Sequence, residues 1–299
     1  MMRRDIELKS EGVTCRGWLY LPDDAGAKRW PTVVMAHGFS AVKEMRLDRF
    51  AETFAGAGFA SVVFDYRGFG SSDGTPRQDP NPHAQITDYR NAISYARQLP
   101  EVDGERIGVW GSSYSGAHVL MVGAFDKRVK AVVSQVPLID GWESLARLGG
   151  EATRDAMVQQ LIAERERIYA GGEPAMIPVV DNDGGMAALA TPDSWEWFQS
   201  LAQAAPNWKN EVTLISLQRL LEYAPGRFID RIAPTPLLIV AAEQDFLPFD
   251  IVQSAFERAG EPKRLCRIPA GHFTPYEPPH FATAAGAAVD WFTQHLRAV

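Results

Sequence analysis

The stretch VWGSSYSGAH, Val109 to His118, puts three serines in four positions between an apolar run and a run of small residues. A serine hydroxyl attacks a carbonyl at neutral pH only if a base takes its proton and an acid orients that base. A nucleophile on a sharp strand-to-helix turn also needs small residues two positions away on each side, because the backbone is crowded there. Ser113 meets this condition, with Gly111 before it, Ser115 after it and Gly116 next. Ser112 has Trp110 at that distance, which is too large, and Ser115 would lie a turn into the following helix. The strict pattern has glycine on both sides, and here Ser115 replaces the second one. The competing reading of the same residues is a serine-rich loop that caps a helix.

The partners decide between the two. On an α/β sheet the order is Ser, then Asp or Glu, then His. Downstream, PLLIVAAEQDFLPFD is a buried strand whose following loop presents Asp245, and KRLCRIPAGHFTPYE is a strand whose loop presents His272. Catalytic groups in open α/β sheets gather beyond the carboxyl ends of the strands, where all three residues fall. Asp140, in VPLIDGW after the sixth strand, is the rival acid; Asp245 is preferred because AAEQDFLP has the form of the usual acid loop. An oxyanion needs preorganised N–H donors. The expected pair is the backbone N–H of Tyr114, after the nucleophile, and that of Phe39 in the loop after VVMAHG, with Gly38 as the rival. His37 reads as a loop-shaping residue and His118 as structural. His83, His280 and His295 read as solvated, Glu243 as structural, and Asp65 with Arg67 as a pair that shapes the FDYRGFG loop.

These residues need a scaffold that carries them to one end of a sheet. DIELKS and VTCRGWLYLP alternate polar and apolar residues and read as an antiparallel pair turning at Gly12. PTVVMAHG, ASVVFDYRG, ERIGVWG, KAVVSQVP, TPLLIVAAE and KRLCRIPAG read as strands, most of them short continuous apolar runs buried on both faces. RLDRFAETFAGAGF, QITDYRNAISYARQL, SGAHVLMVGAF, FDIVQSAFERAG and FATAAGAAVDWFTQHL have helical spacing. Alternation of this kind predicts a mostly parallel sheet flanked by helices, with right-handed crossovers. Residues 139–227 break the rhythm with helical patterns (SLARLGGEATRDAMVQQLIAERERIY, SWEWFQSLAQ, LISLQRLLEY). They are expected to form a helical cap inserted into a core domain of residues 1–138 and 228–299. Trp142, Trp195, Trp197, Phe198 and Trp208 fall in it. Most should fix the cap to the core, and one or two, with Trp142, Trp195 and Trp197 as candidates, should line an apolar substrate pocket.

Composition excludes several classes. The 299 residues carry 30 Lys and Arg against 37 Asp and Glu, a formal net charge of −7, which argues against a nucleic-acid partner. No apolar stretch approaches the roughly 18 residues of a membrane span, and the N-terminus MMRRDIELKSEG lacks the apolar core of a signal peptide, so a cytoplasmic protein is expected. The two cysteines, Cys15 and Cys266, sit in strand-like runs and read as buried thiols, with no disulfide framework and no metal-binding spacing.

AHGFSAVKEM, FDYRGFGSSDG, GSSYSG, AAEQDFLPF and PAGHF together resemble the α/β-hydrolase fold family over essentially the whole chain. The similarity is to the branch that contains dienelactone hydrolases, acyl esterases of the Xaa-Pro dipeptidyl-peptidase type and fungal polyketide transferase-like hydrolases. The resemblance implies a serine hydrolase acting on a small-molecule ester or thioester through an acyl-enzyme on Ser113, without metal or organic cofactor. Acyl transfer by the same triad is the alternative chemistry and peptidase action ranks third. A non-catalytic ligand receptor on the same fold is the alternative from another class. Homo-oligomer formation stays open.

Overall fold

Residues 1–23 and 29–297 are described here from a computed structural model. The chain begins with β1 (Met2–Ser10) and β2 (Val13–Leu21), an antiparallel hairpin that turns through Glu11 and Gly12, both at positive φ. Then follow β3 (Trp30–Ala36), α1 (Leu47–Gly56), β4 (Ala60–Phe64), α2 (Pro82–Ala96), β5 (Val102–Ser112), α3 (Tyr114–Phe125) and β6 (Val129–Gln135). The sheet resumes with β9 (Leu237–Ala242), α8 (Phe249–Arg258), β10 (Lys263–Ile268) and α9 (His280–Leu296). The elements between β6 and β9 are α4 (Gly141–Gly149), α5 (Glu151–Tyr169), β7 (Met176–Ile177), α6 (Pro192–Ala202), β8 (Val212–Thr213) and α7 (Ser216–Leu221).

Eight strands form one sheet in the order β1-β2-β4-β3-β5-β6-β9-β10. β2 pairs antiparallel with β4, and from β4 to β10 all neighbours are parallel. This is the α/β-hydrolase fold, with a mostly parallel sheet between helices. Val33, Val34, Val62, Val63, Val109, Val132, Val133 and Ile239 are fully buried, as expected of parallel strands covered on both faces. The outer strand β10 is only partly buried and carries Lys263, Arg264 and Arg267, charges that blunt a sheet edge. Cys15 is buried in β2, whereas Cys266 in β10 is half-buried, so only one of the two thiols is the core residue expected.

The strand order fixes where a site can form. From β3 the chain runs to β4 on one side, then crosses to β5 on the other. The loops after β3 and β5 therefore leave in opposite directions and open a crevice beyond the carboxyl ends of these strands. The Gly38–Phe39 loop and Ser113 are its two lips.

Residues 139–227 differ from the expected pattern in two ways. The helical run from Ser144 to Tyr169 is broken at Gly149 and Gly150, where Gly150 sits at φ 81°, so it forms two helices. A two-stranded antiparallel ribbon, β7 with β8, also lies inside it. The ends of the stretch meet through Gly226 N–H to the Ile139 carbonyl (3.0 Å) and Gly141 N–H to the Tyr223 carbonyl (2.9 Å). Trp208 ties it to the β3 loop by donating from Nε1 to the Ser40 carbonyl at 3.0 Å. No helix among the described residues is long and apolar enough to cross a membrane.

Candidate active site

Ser113 stands between the last residue of β5 and the first of α3, at φ 60° and ψ −117°. Such a backbone is strained for a side chain other than glycine. It holds because Ser113 N–H donates to the Gln135 carbonyl (2.8 Å) and the Ser113 carbonyl accepts from Ala117 and Leu138. The turn requires glycine at position 111, where a Cβ would lie 2.3 Å from the Ser115 carbonyl oxygen. The Ser113 side chain makes no helix-capping bond. Its Oγ instead lies 3.0 Å from His272 Nε2.

The opposite ring nitrogen, His272 Nδ1, lies 2.8 and 2.9 Å from the two carboxylate oxygens of Asp245. A carboxylate can only accept, so Nδ1 carries the proton and Nε2 is free to take one from Ser113. Asp245 is held by the Leu247 N–H, which donates to Oδ1 at 2.8 Å. The imidazole sits between the rings of Phe246 and Phe273, with centroids at 4.4 and 4.9 Å, and is 2% exposed. The three residues thus form one hydrogen-bonded chain, its imidazole buried and the hydroxyl at its open end.

The rival residues have other partners. Ser115 is buried with its Oγ 2.8 Å from the Tyr66 hydroxyl and 2.9 Å from that of Tyr89. Ser112 accepts from the Tyr276 hydroxyl at 2.6 Å and from Gln135 Nε2 at 3.2 Å. Asp140 caps α4, its Oδ1 accepting from Glu143 N–H at 3.1 Å. Asp140→Asn should therefore leave kcat within about twofold, because Asn caps as well as Asp. Asp140→Ala should cost about 1 kcal/mol of stability. Steady-state rates and melting curves of the two variants check this.

Phe39 and Tyr114 face each other across the crevice, with ring centroids 5.5 Å apart. Tyr114 is the first residue of α3, where backbone N–H groups have no partner inside the helix. Neither its N–H nor that of Phe39 is engaged by another backbone group among the described residues. The N–H of Gly38, the rival donor, is likewise unengaged by another backbone group among the described residues. A Cβ there would lie 3.1 Å from the Ser113 Cβ, so glycine lets the loop approach Ser113. His37 Nδ1–H donates to the Gly38 carbonyl at 3.0 Å. That carbonyl shares a peptide plane with the Phe39 N–H, so His37 orients that N–H.

Two histidines are held neutral by burial. The ring of His118 accepts at Nδ1 from the Tyr223 hydroxyl and donates from Nε2 to Gln85 Oε1, each at 3.0 Å. Burial pushes its pKa down to about 3, with small contributions from His37 and His83. Burial also lowers that of His37, against the pull of Asp65 and the Gly38 carbonyl. Unfolded histidines titrate near 6.5. As pH falls below that value the unfolded chain binds protons that the folded chain refuses. Stability is therefore present above about pH 6.5 and is lost on acidification towards pH 3. The expected slope is about 1.4 kcal/mol per pH unit for His118, and His37 adds to it in the same direction. Melting curves between pH 7 and 4.5 should show this fall, and a shallower one for His118→Asn. A flat profile would contradict it.

The loop carrying Phe39 is anchored by a residue that the sequence patterns did not single out. Lys43 is 4% exposed and its Nζ donates to Asp65 Oδ2 at 2.7 Å, while its N–H donates to Oδ1 at 2.8 Å. Burial would lower the lysine's pKa, but the Asp65 charge and hydrogen bond, aided by Glu44, outweigh this and raise it. Asp65 and Arg67 are thus not a pair with each other. Arg67 instead binds the buried Asp88, from its N–H at 3.1 Å and from Nε at 2.9 Å. The signal available was the charged pair Lys43 and Glu44 between apolar residues in AVKEM. Glu243 pairs with Arg267 on the neighbouring strand. His83 is exposed as expected; His280 and His295 are half-buried, the latter against Trp291.

Two cavities flank Ser113 and share its side chain, Phe39 and Leu189 as walls. One, about 20 Å³, is bounded by His272 and by aromatic residues including Trp197, Phe198, Phe273 and Tyr276. The other, about 90 Å³, is bounded by Tyr114 and by aliphatic residues including Leu145, Leu148, Leu220 and Leu247. Of the three tryptophans expected at the pocket, Trp197 alone is on these walls. Trp142 is 45% exposed under the Arg154 guanidinium and borders a separate depression with His83 and Phe228. α4 lines the larger cavity with Gly141, Ser144, Leu145 and Leu148, and Trp142 is not among them. Trp195 is half-buried and packs against the core without reaching either cavity. The leucines of α4 and α7 went unrecognised because apolar residues at helical spacing read equally well as packing. No cluster of His, Cys, Asp or Glu able to hold a metal ion occurs among the described residues.

Residues 11–274 match the X-Pro dipeptidyl-peptidase (S15) family. The quorum-quenching protein AidA of Acinetobacter baumannii is 36% identical over 243 residues, spanning 81% of this chain and 78% of its own. The thiohydrolase aneE of Aspergillus aculeatus is 34% identical over 270 residues, 86% of this chain and 82% of its own. The crystal structure of the α/β hydrolase GrgF from Penicillium sp. superposes with a TM-score of 0.84 at 27% identity, covering 99% of both chains. DcsB, solved with a substrate analogue, superposes with a TM-score of 0.85 at 30% identity over the same share of each chain. The sheet order, the strained serine turn and these similarities agree: the chain belongs to the X-Pro dipeptidyl-peptidase (S15) family, on the α/β-hydrolase fold.

Proposed function

We propose that the protein hydrolyses a carboxylic ester or thioester through an acyl-enzyme on Ser113. The observation that carries this reading is the unbroken hydrogen-bond chain Ser113 Oγ, His272, Asp245. Ser113 Oγ attacks the carbonyl carbon as its proton passes to His272 Nε2. The oxyanion is met by the N–H groups of Phe39 and Tyr114. The imidazolium, stabilised by Asp245, returns the proton to the leaving heteroatom, and the acyl group stays on Ser113. Water then gives a proton to Nε2, its oxygen joins the acyl carbon, and Ser113 leaves with the proton.

The relatives named thiohydrolases support acyl chemistry of this kind. Acyl transfer to an alcohol or amine is the second reading, supported by relatives named polyketide transferase and acyltransferase. Dipeptidyl-peptidase action is less well supported. Among the described residues on the two cavity walls none is Asp or Glu, the groups that would hold a substrate's free amino terminus. In this account residues 139–227 are a cap, since Leu145, Leu148, Leu189, Trp197 and Leu220 wall the space over Ser113.

Methyl esters and S-methyl thioesters of graded acyl length test the reading. The wild type should release acid catalytically and Ser113→Ala should release none above background. Stoichiometric or negligible release by the wild type would point to a ligand receptor, and a product ratio that follows added alcohol would point to a transferase.

A further inference from the structure

The geometry points to a division of labour between the two cavities: the aromatic one beside His272 takes the leaving group, and the aliphatic one beside Tyr114 takes the acyl group. The substrates would then be neutral esters or thioesters with a compact leaving group and an apolar acyl chain. This assignment rests on the acyl-enzyme reading above.

The argument begins with the proton. When the bond between the carbonyl carbon and the leaving heteroatom breaks, the electron pair stays on the heteroatom and the proton comes from His272 Nε2. The heteroatom must therefore lie within hydrogen-bond reach of that nitrogen. His272 is on the wall of the smaller cavity and not on that of the larger. With the oxyanion held between Phe39 and Tyr114, the acyl substituent has the other direction to take, along Tyr114 towards Leu145 and Leu220.

The sizes then set the preference. A volume of about 20 Å³ suits one small group, and after that group leaves it suits the single water that must approach His272 for deacylation. The wall there is rigid, because Trp197 stacks on Phe273 at 4.9 Å and Tyr276 is tied to Ser112. The larger cavity, about 90 Å³, has room for a short chain, and Leu148 at its border is 52% exposed, so a longer chain can continue outwards. No Lys or Arg is on either wall among the described residues, so a charged group on either side would go unpaired.

Two ester series separate the sides. With methyl esters, kcat/KM should rise about fourfold per acyl CH₂ until the pocket is full. With acetate esters, extending the alkoxy group from methyl to butyl should lower kcat/KM at least tenfold. Met45→Ala and Trp197→Phe, both on the smaller cavity, should relax the second series and leave the slope of the first. Leu148→Ala and Leu145→Ala should flatten the first and leave the second. Using two variants on each side, with melting curves as a control, keeps one misfolded protein from deciding the outcome. If the Met45 and Trp197 variants change the acyl slope instead, or the alkoxy series rises with length, the assignment is wrong while the acyl-enzyme reading stands. If no acyl compound is turned over by the wild type, both fall.

Discussion

Asp245→Asn should lower kcat by about 10⁴, or about 5 kcal/mol of transition-state stabilisation, with little change in melting temperature. The carboxylate oxygens accept from His272 Nδ1 at 2.8 and 2.9 Å and so keep the proton on that nitrogen. An amide NH₂ turned towards the ring would favour the opposite tautomer, with the proton on Nε2, where it blocks transfer from Ser113. The Leu247 N–H can still donate to the amide oxygen, so the loop should keep its shape. Pre-steady-state kinetics should show the loss in acylation itself. A loss below tenfold would mean that another acid serves His272.

Asp65→Ala should cost about 3–5 kcal/mol of folding stability, the range for breaking one side of a buried ion pair. The Asp65 carboxylate is fully buried and accepts from the Lys43 ammonium, the Lys43 N–H and the Ser71 N–H. Its removal leaves the buried ammonium beside Trp18 with only the partly exposed Glu44 as a counterion and frees the loop that carries Phe39. The double variant Asp65→Ala with Lys43→Met should be more stable than Asp65→Ala alone, because the deeply buried ammonium is removed together with its deeply buried carboxylate. Denaturant unfolding of the three proteins checks the order. A double variant less stable than the single one would show that the carboxylate's backbone bonds, not the ion pair, carry the energy.

The central scaffold could be read from the sequence because it rests on local rules. Continuous apolar runs gave the parallel strands, helical spacing gave the crossovers, and small residues around Ser113 marked a crowded turn. That Asp245 and His272 would lie close to Ser113 was legible because each sits just past such a strand. What could not be read depends on how distant segments dock. Asp65 and Arg67 are neighbours in sequence, yet each binds a partner from another element, Lys43 and Asp88. Trp142 and Trp197 look alike as aromatics of residues 139–227, but only the packing of α6 against the His272 loop puts Trp197 beside Ser113. The ribbon of β7 and β8 has two residues in each strand, too few to carry a periodic signal. The break at Gly149 and Gly150 was written in the sequence as a glycine pair inside a helical run, a signal that periodicity alone overrode.

The most direct test of the account is covalent labelling with diisopropyl fluorophosphate, whose fluoride leaving group is compact. Intact mass and peptide mapping locate the adduct. One adduct per chain is expected, on Ser113, in the wild type and in Ser115→Ala, and none in Ser113→Ala. Labelling that survives Ser113→Ala and is lost in a folded Ser115→Ala would contradict the assignment of the nucleophile, and with it the mechanism built on the Ser113, His272 and Asp245 chain.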